Sequence, residues 1–90
     1  MKGLYKFEED YGRMGELEGL FIAEVDKVDE LIESEVEVHF GEALGKHSEV
    51  SVIMSDDNLT LVTTEENVIK VIEDYNLENG YNPFNYIYEE

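Results

Sequence analysis

The chain of 90 residues contains no cysteine, no tryptophan and a single proline. The absence of cysteine excludes disulfide bonds and thiolate metal ligands, and it fits a reducing compartment. The chain also lacks the run of about 18 apolar residues that a membrane-spanning helix needs, and its N-terminus becomes acidic before any apolar stretch of signal-peptide length. We therefore expect a soluble cytoplasmic protein that is not exported.

Basic residues are also scarce. Six lysines and arginines stand against 23 aspartates and glutamates, which gives a formal net charge of −17. Such a field repels nucleic acid and anionic membranes, and it attracts basic surfaces over a Debye length of about 8–10 Å. The composition therefore argues against direct binding to nucleic acid or to a membrane.

The amount of charge is comparable with that of DNA. A domain of this size has a diameter of roughly 30 Å, and duplex DNA carries one charge per about 1.7 Å of its axis. A net charge of −17 therefore matches about 29 Å of duplex. Imitation of DNA is one interpretation, and plain solubility or adaptation to a salty cytoplasm is the other.

Hydrophobic residues make up 42% of the chain and recur periodically, so we expect residues 1–90 to form one small folded domain. Alternating apolar and polar residues predict five strands, in the segments GLYKFEEDY, ELEGLFIAEV, EVEVHF, EVSVIM and LTLVTT. The second reads as a central strand because both of its faces are apolar. The last three are close enough in sequence to pair as an antiparallel meander.

Two segments have helical spacing. Asp26 is a candidate N-cap for a short helix that ends near Ser34. The main helix is predicted over about residues 65–77, with Thr63 and Glu66 at the spacing of a capping box. The predicted fold class is α+β, an antiparallel sheet of about five strands with the main helix packed on one face and a short second helix.

Residues 78–90 form an aromatic-rich C-terminal segment. Asn79 and Gly80 read as a helix stop, and Pro83 as a breaker. The segment carries four aromatic residues, Tyr81, Phe84, Tyr86 and Tyr88. We expect it to pack back on the domain or to form an interface, for instance between copies of the chain.

Acidic residues are concentrated in residues 16–37, where nine of them accompany a single lysine, Lys27. Alternate residues of a strand lie roughly 6.6 Å apart on one face, so such a surface suits a basic groove on another protein. A solvated face is the alternative. The predicted partner-binding residues are Glu16, Glu18, Glu24, Asp29, Glu30, Glu33, Glu35 and Glu37.

The segment FGEALGKHSEV, residues 40–50, gathers Lys46, His47 and Ser48 in an acidic chain. It is not a phosphate-binding loop, because its glycines are separated by three residues rather than four and a strand follows. Lys46 either neutralises a nearby glutamate in a tight turn or helps to hold a small anionic ligand. The candidate ligand-binding residues are Glu42, Lys46, His47, Ser48 and Tyr81.

The sequence predicts no metal site and no cofactor. His39 and His47 would approach each other if the flanking strands pair, with Glu37 and Glu49 nearby, but their spacing matches no zinc signature. The acidic turn at residues 55–58 lacks the glycine and the terminal glutamate of a calcium loop. Because 23 acids guarantee many close pairs, no single pair indicates catalysis.

The segments FGEALGKHSEV and GYNPFNYI resemble short acidic proteins encoded by bacteriophages and mobile elements, over roughly residues 20–87. That group has no settled activity, so the resemblance implies a setting, an infected bacterial cytoplasm, rather than catalytic residues. Small acidic phage proteins antagonise host machinery by imitating DNA, as anti-restriction and some anti-CRISPR proteins do, or by sequestering a signalling nucleotide. The mixed α and β pattern departs from the all-helical DNA mimics.

These observations predict a non-enzymatic, phage-type acidic protein. It would bind and inhibit a host protein through a basic surface, such as one that binds nucleic acid, in an anti-defence role. The alternative is a small-ligand binder, such as a signalling-nucleotide sponge, that uses the loop containing Lys46. A third hypothesis is an enzyme in which a glutamate and His47 act as acid and base.

Overall fold

The computed structural model describes residues 1–42 and 49–87. These residues form an α+β fold of two antiparallel sheets and two α-helices. The elements are β1 (Lys2–Asp10), β2 (Glu16–Glu24), α1 (Val25–Glu33), β3 (Glu37–Gly41), β4 (Val50–Ile53), β5 (Leu59–Thr63), α2 (Glu66–Asp74) and β6 (Asn79–Gly80), with short 3-10 helices at Gly12–Met14 and Pro83–Tyr86.

β1 and β2 form a long hairpin at the centre of a four-stranded sheet of order β5-β1-β2-β6. β3 and β4 pair with each other in a separate sheet. β2 is thus a central strand, as predicted. The predicted meander is wrong at its last strand, because β5 pairs with β1 instead of β4. The turn before β5 carries the chain from one sheet to the other, and the Glu8 N–H donates to the Asn58 carbonyl at 2.9 Å to align β5 on β1.

The hydrophobic core lies between the two sheets. We call the side of the four-stranded sheet that faces the core its inner face, and the opposite side its outer face. On the inner face Phe7 stacks on Phe40 of β3, with ring centroids 5.4 Å apart, and Tyr5 stacks on Phe21 at 5.8 Å. The two-stranded sheet contributes alternate residues, as its pattern predicts: Val38, Phe40, Val50, Val52 and, just beyond β4, Met54.

Because Tyr5 is buried in this core, the stability of the fold should fall at alkaline pH. Burial raises the pKa of the Tyr5 hydroxyl above its ordinary value of 10.0, and the negative charge of Asp29 raises it further. The stability that burial of the neutral Tyr5 hydroxyl contributes is therefore complete below pH 10 and is lost as the pH rises through the raised pKa. Denaturant titrations followed by circular dichroism should show less loss of stability above pH 10 for Tyr5→Phe than for the wild type. Equal losses in the two proteins would contradict this role.

The N-cap residue of α1 is Glu24, two residues before the predicted cap, Asp26. The helix ends at Glu33 with Ser34 as its C-cap, close to the predicted end. Val28 and Leu31 are its buried residues, and both belong to the core cluster. α1 therefore lies on the inner side of the four-stranded sheet.

α2 packs on the opposite side, against β1. Leu4 is buried on this outer face, and Lys2 forms an ion pair with Glu73 at 3.2 Å. The helix is shorter than predicted, and its predicted capping box is wrong. The Thr63 hydroxyl accepts the N–H of Glu65, the N-cap residue, at 3.1 Å.

The C-terminal segment folds back onto the core. Tyr81 and Tyr86 pack against Phe40, with ring centroids 5.7 and 4.8 Å away, and Phe84 packs edge-on against Phe21 at 6.2 Å. The described part of residues 78–90 therefore packs on the domain, which is one of the two predicted arrangements.

This segment also closes the outer edge of β2. Gly19 of β2 pairs with Gly80 of β6, and the Tyr81 N–H donates to the Glu18 carbonyl at 3.0 Å. Further along β2, the Ile22 N–H donates to Glu78 Oε1 at 2.7 Å. The Glu78 carboxylate thus takes the place of a carbonyl from a neighbouring strand.

Candidate functional site

Four carboxylates meet on the outer face of the β1–β2 hairpin. The register places Glu8 opposite Glu18 and Asp10 opposite Glu16. Directly opposed side chains have Cβ atoms about 4.5–5.5 Å apart, and successive pairs on one face are about 6.6 Å apart. All four residues are exposed. We call this set the carboxylate quartet.

Repulsion within the quartet destabilises the hairpin, and packing of the hairpin's inner face offsets this loss of stability. Like charges directly opposite each other destabilise an antiparallel pair, and only modest compensation is present. Lys6 Nζ lies 3.3 Å from Glu8 Oε1. The Gly12 N–H donates to Asp10 Oδ1 at 2.7 Å. The inner face of the same hairpin buries Phe7 and Leu17. The core therefore holds the hairpin together while its outer face presents concentrated negative charge.

The acidic residues predicted from the sequence do not share one surface. Glu16 and Glu18 belong to the quartet, and Glu24, on the same outer face, pairs with the N-terminal amino group at 3.0 Å. The other predicted residues lie on or after α1, on the inner side of the sheet. They are Asp29, Glu30, Glu33, Glu35 and Glu37.

Glu8 and Asp10 belong to the quartet but were absent from the prediction. They lie outside the acidic stretch at residues 16–37, and the hairpin register alone brings them to Glu18 and Glu16. The symmetric placement of the two strands about Arg13 was the sequence signal that could have revealed them.

Only two of the candidate ligand-binding residues, Glu42 and Tyr81, belong to the described part of the chain. Lys46, His47 and Ser48 lie outside the described residues, whereas Glu42 is exposed. The Tyr81 ring is engaged by Phe40 and by Tyr86, which is 6.1 Å away. Tyr81 is therefore already part of the aromatic packing of the core.

A cleft of about 460 Å³ opens beside α1, near the second 3-10 helix. The two described candidate ligand-binding residues, Glu42 and Tyr81, do not line it. Its lining includes Lys27, Leu31, Val36, Phe84 and Ile87.

Ser51, His39 and Glu37 form a chain of polar contacts on the two-stranded sheet. The Ser51 hydroxyl lies 2.6 Å from His39 Nδ1, and His39 Nε2 lies 3.6 Å from a Glu37 oxygen. His39 and Ser51 are direct cross-strand partners, and the imidazole is 69% exposed. An activated nucleophile requires a desolvated, preorganised setting, so we assign this contact to strand pairing.

Within residues 1–42 and 49–87, no three histidine, aspartate or glutamate side chains form a group able to hold a metal ion. His47, the second histidine of the predicted pair, lies outside these ranges. In the same part of the chain, no helix is long and apolar enough to cross a membrane.

Comparison of the chain with protein-family models, curated proteins and solved structures finds no match.

Proposed function

We propose that the protein is a non-enzymatic binding protein that occupies and blocks a basic surface of another protein. The carboxylate quartet carries this proposal, together with the net charge of −17. A basic surface of the kind that binds nucleic acid is the matching partner. If the chain is phage-encoded, as its resemblance implies, the partner is a host protein and the role is anti-defence.

The cost of the quartet supports a functional role. The two like-charged pairs face solvent, and Lys6 offsets only part of the repulsion between them. Lysine or arginine side chains of a partner would relieve this repulsion on binding, so the same residues that cost stability in the free protein would favour the complex. Charge of this kind mainly accelerates association and selects the partner.

Two four-residue variants with the same net charge test the proposal. The quartet variant is E8Q/D10N/E16Q/E18Q, and the control, with its changes on α1 and β3, is D29N/E30Q/E33Q/E37Q. Each changes the net charge from −17 to −13. In pull-downs from bacterial lysate at low and high salt, we expect the wild type and the control to capture a partner in a salt-sensitive way. The quartet variant should lose it.

The quartet variant should also resist denaturant better than the wild type at low salt, because it loses both like-charged pairs. Capture of the same partner by the quartet variant, with loss in the control variant, would show that the proposed surface is the wrong one. Binding that is unaffected by salt would contradict the proposal as a whole.

A further inference from the structure

β5 is an open edge of the described structure. Of the other edge strands, β6 has only two residues, and β3 packs against the 3-10 helix Pro83–Tyr86. β4 is contacted by Tyr11, whose hydroxyl donates to the Ser51 carbonyl at 3.2 Å. Among the described residues β5 pairs with β1 alone, on one side.

The register identifies the free backbone groups of this edge. The Glu8 N–H donates to the Asn58 carbonyl, so the backbone of Asn58 faces β1. Because successive residues of an antiparallel strand face opposite neighbours, Thr60 also faces β1 and Leu61 faces outward. The Leu59 N–H already donates a hydrogen bond to the Ser55 carbonyl at 3.0 Å. The edge therefore offers the N–H and C=O of Leu61 and the C=O of Leu59.

The side chains around this edge are apolar and exposed. Leu61 and Val62 are 46% and 52% exposed. Six of the eight large exposed hydrophobic residues of the described chain lie in β5 or in the residues around α2: Leu61, Val62, Val68, Val71, Tyr75 and Leu77. β5 therefore exposes apolar side chains beside an unpaired edge, which is the kind of edge that pairs readily with another chain.

The charges at the two ends of β5 argue against a second copy of the chain as the occupant. β5 itself carries no charge, but Asp56 and Asp57 precede it and Glu65 and Glu66 follow it. In a two-fold antiparallel register centred on β5, Leu61 faces its own copy, and the register shift against β1 between Leu61 and Thr63 makes such a pairing irregular. That register brings the Asp57 end of each strand against the Glu65 end of the other. Self-pairing would therefore place like charges together at both ends.

We propose that the open edge of β5 binds an extended segment of another protein that has an apolar, β-branched centre and lysine or arginine on both sides. Its backbone would bond to Leu59 and Leu61, in the manner of strand addition to a sheet edge. Its basic flanks would meet the carboxylates at the two ends of β5, and this holds for either strand direction. The site is separate from the carboxylate quartet, so it goes beyond the function proposed above.

Synthetic peptides provide the test. The probe has a Val-Thr-Val-Thr-Val centre with two lysines at each end, and a matched peptide has glutamates at its ends. Two further versions of the basic peptide carry N-methyl groups on alternate central residues, one on the first, third and fifth and the other on the second and fourth. Binding is followed by fluorescence anisotropy and by amide chemical shifts of the isotope-labelled protein.

We expect the basic peptide to bind and to shift the amides of residues 59–62. One N-methylated version should bind at least tenfold more weakly, because its methyl groups face the edge, whereas the other should bind as the parent does. The glutamate-ended peptide should bind at least tenfold more weakly than the lysine-ended one. The quartet variant should retain the difference between the two methylated peptides even if the lysate partner is lost.

Several results would overturn the inference. Equal binding of the two methylated peptides would indicate charge attraction or contact with α2 rather than strand addition. No binding of the basic peptide at millimolar concentration would exclude the site. A dimer in sedimentation velocity that Leu61→Lys dissociates would identify a second copy as the occupant.

Discussion

Replacing Phe7 with alanine should lower the free energy of unfolding by about 3–5 kcal/mol. Phe7 is 0% exposed and stacks on Phe40, so its ring joins the two sheets. Small domains are stable by only about 5–15 kcal/mol in total, so the variant should be close to unfolding at room temperature. Urea titration followed by circular dichroism measures the change, and Phe7→Leu provides a milder variant if the alanine protein does not fold.

Tyr75→Ala is the matched control for this prediction. The Tyr75 side chain is 73% exposed, and truncation of an exposed side chain changes stability by less than about 0.5 kcal/mol. If Phe7→Ala and Tyr75→Ala reduced stability equally, Phe7 would not be the link between the sheets.

Gly19→Ala should detach the C-terminal segment from the core. A Cβ at residue 19 would overlap the backbone carbonyl of Tyr81, closer than real Cβ atoms approach other atoms. The segment would have to move away, and the contacts of Tyr81, Phe84 and Tyr86 with the core would be lost. We expect a loss of more than about 3 kcal/mol, since backbone displacement adds to the unpacking of aromatic rings. Limited proteolysis should then cleave the chain between residues 76 and 87.

Gly12→Ala separates this overlap from the ordinary cost of replacing glycine. Gly12 has a φ of +66°, but nothing lies within 4 Å of a Cβ built there. The change should cost only the strain of a left-handed alanine, about 1–2 kcal/mol, and leave the C-terminal segment resistant to protease. Release of the segment in both variants would mean that the Gly19–Tyr81 contact does not hold it.

Local patterns in the sequence predict the elements well because each depends on neighbours in the chain. The alternation of Val38 and Phe40 with Glu37 and His39 depends only on which side of a strand faces the core, and it is confirmed. The pairing of β5 could not be obtained in this way. Its apolar residues fit either sheet, and the choice depends on contacts with β1, which is more than 50 residues away in sequence.

The candidate site shows a different limit. The acidic stretch at residues 16–37 suggests one surface, but the chain passes through β2 into α1 and so crosses from the outer to the inner side of the sheet. Glu18 and Glu30 therefore belong to different surfaces. Glu8 reaches Glu18 from a separate segment through the hairpin register, and that register becomes evident only when both strands are placed.

The Glu78 carboxylate on Ile22 has a consequence for polymerisation. A fibre that grows by edge-to-edge addition of sheets needs two compatible ends on each molecule. At the opposite end of the sheet, β6 and the Glu78 side chain cover part of the backbone of β2, and β6 offers an edge of only two residues. We therefore expect a strand added at β5 to give discrete complexes rather than fibrils.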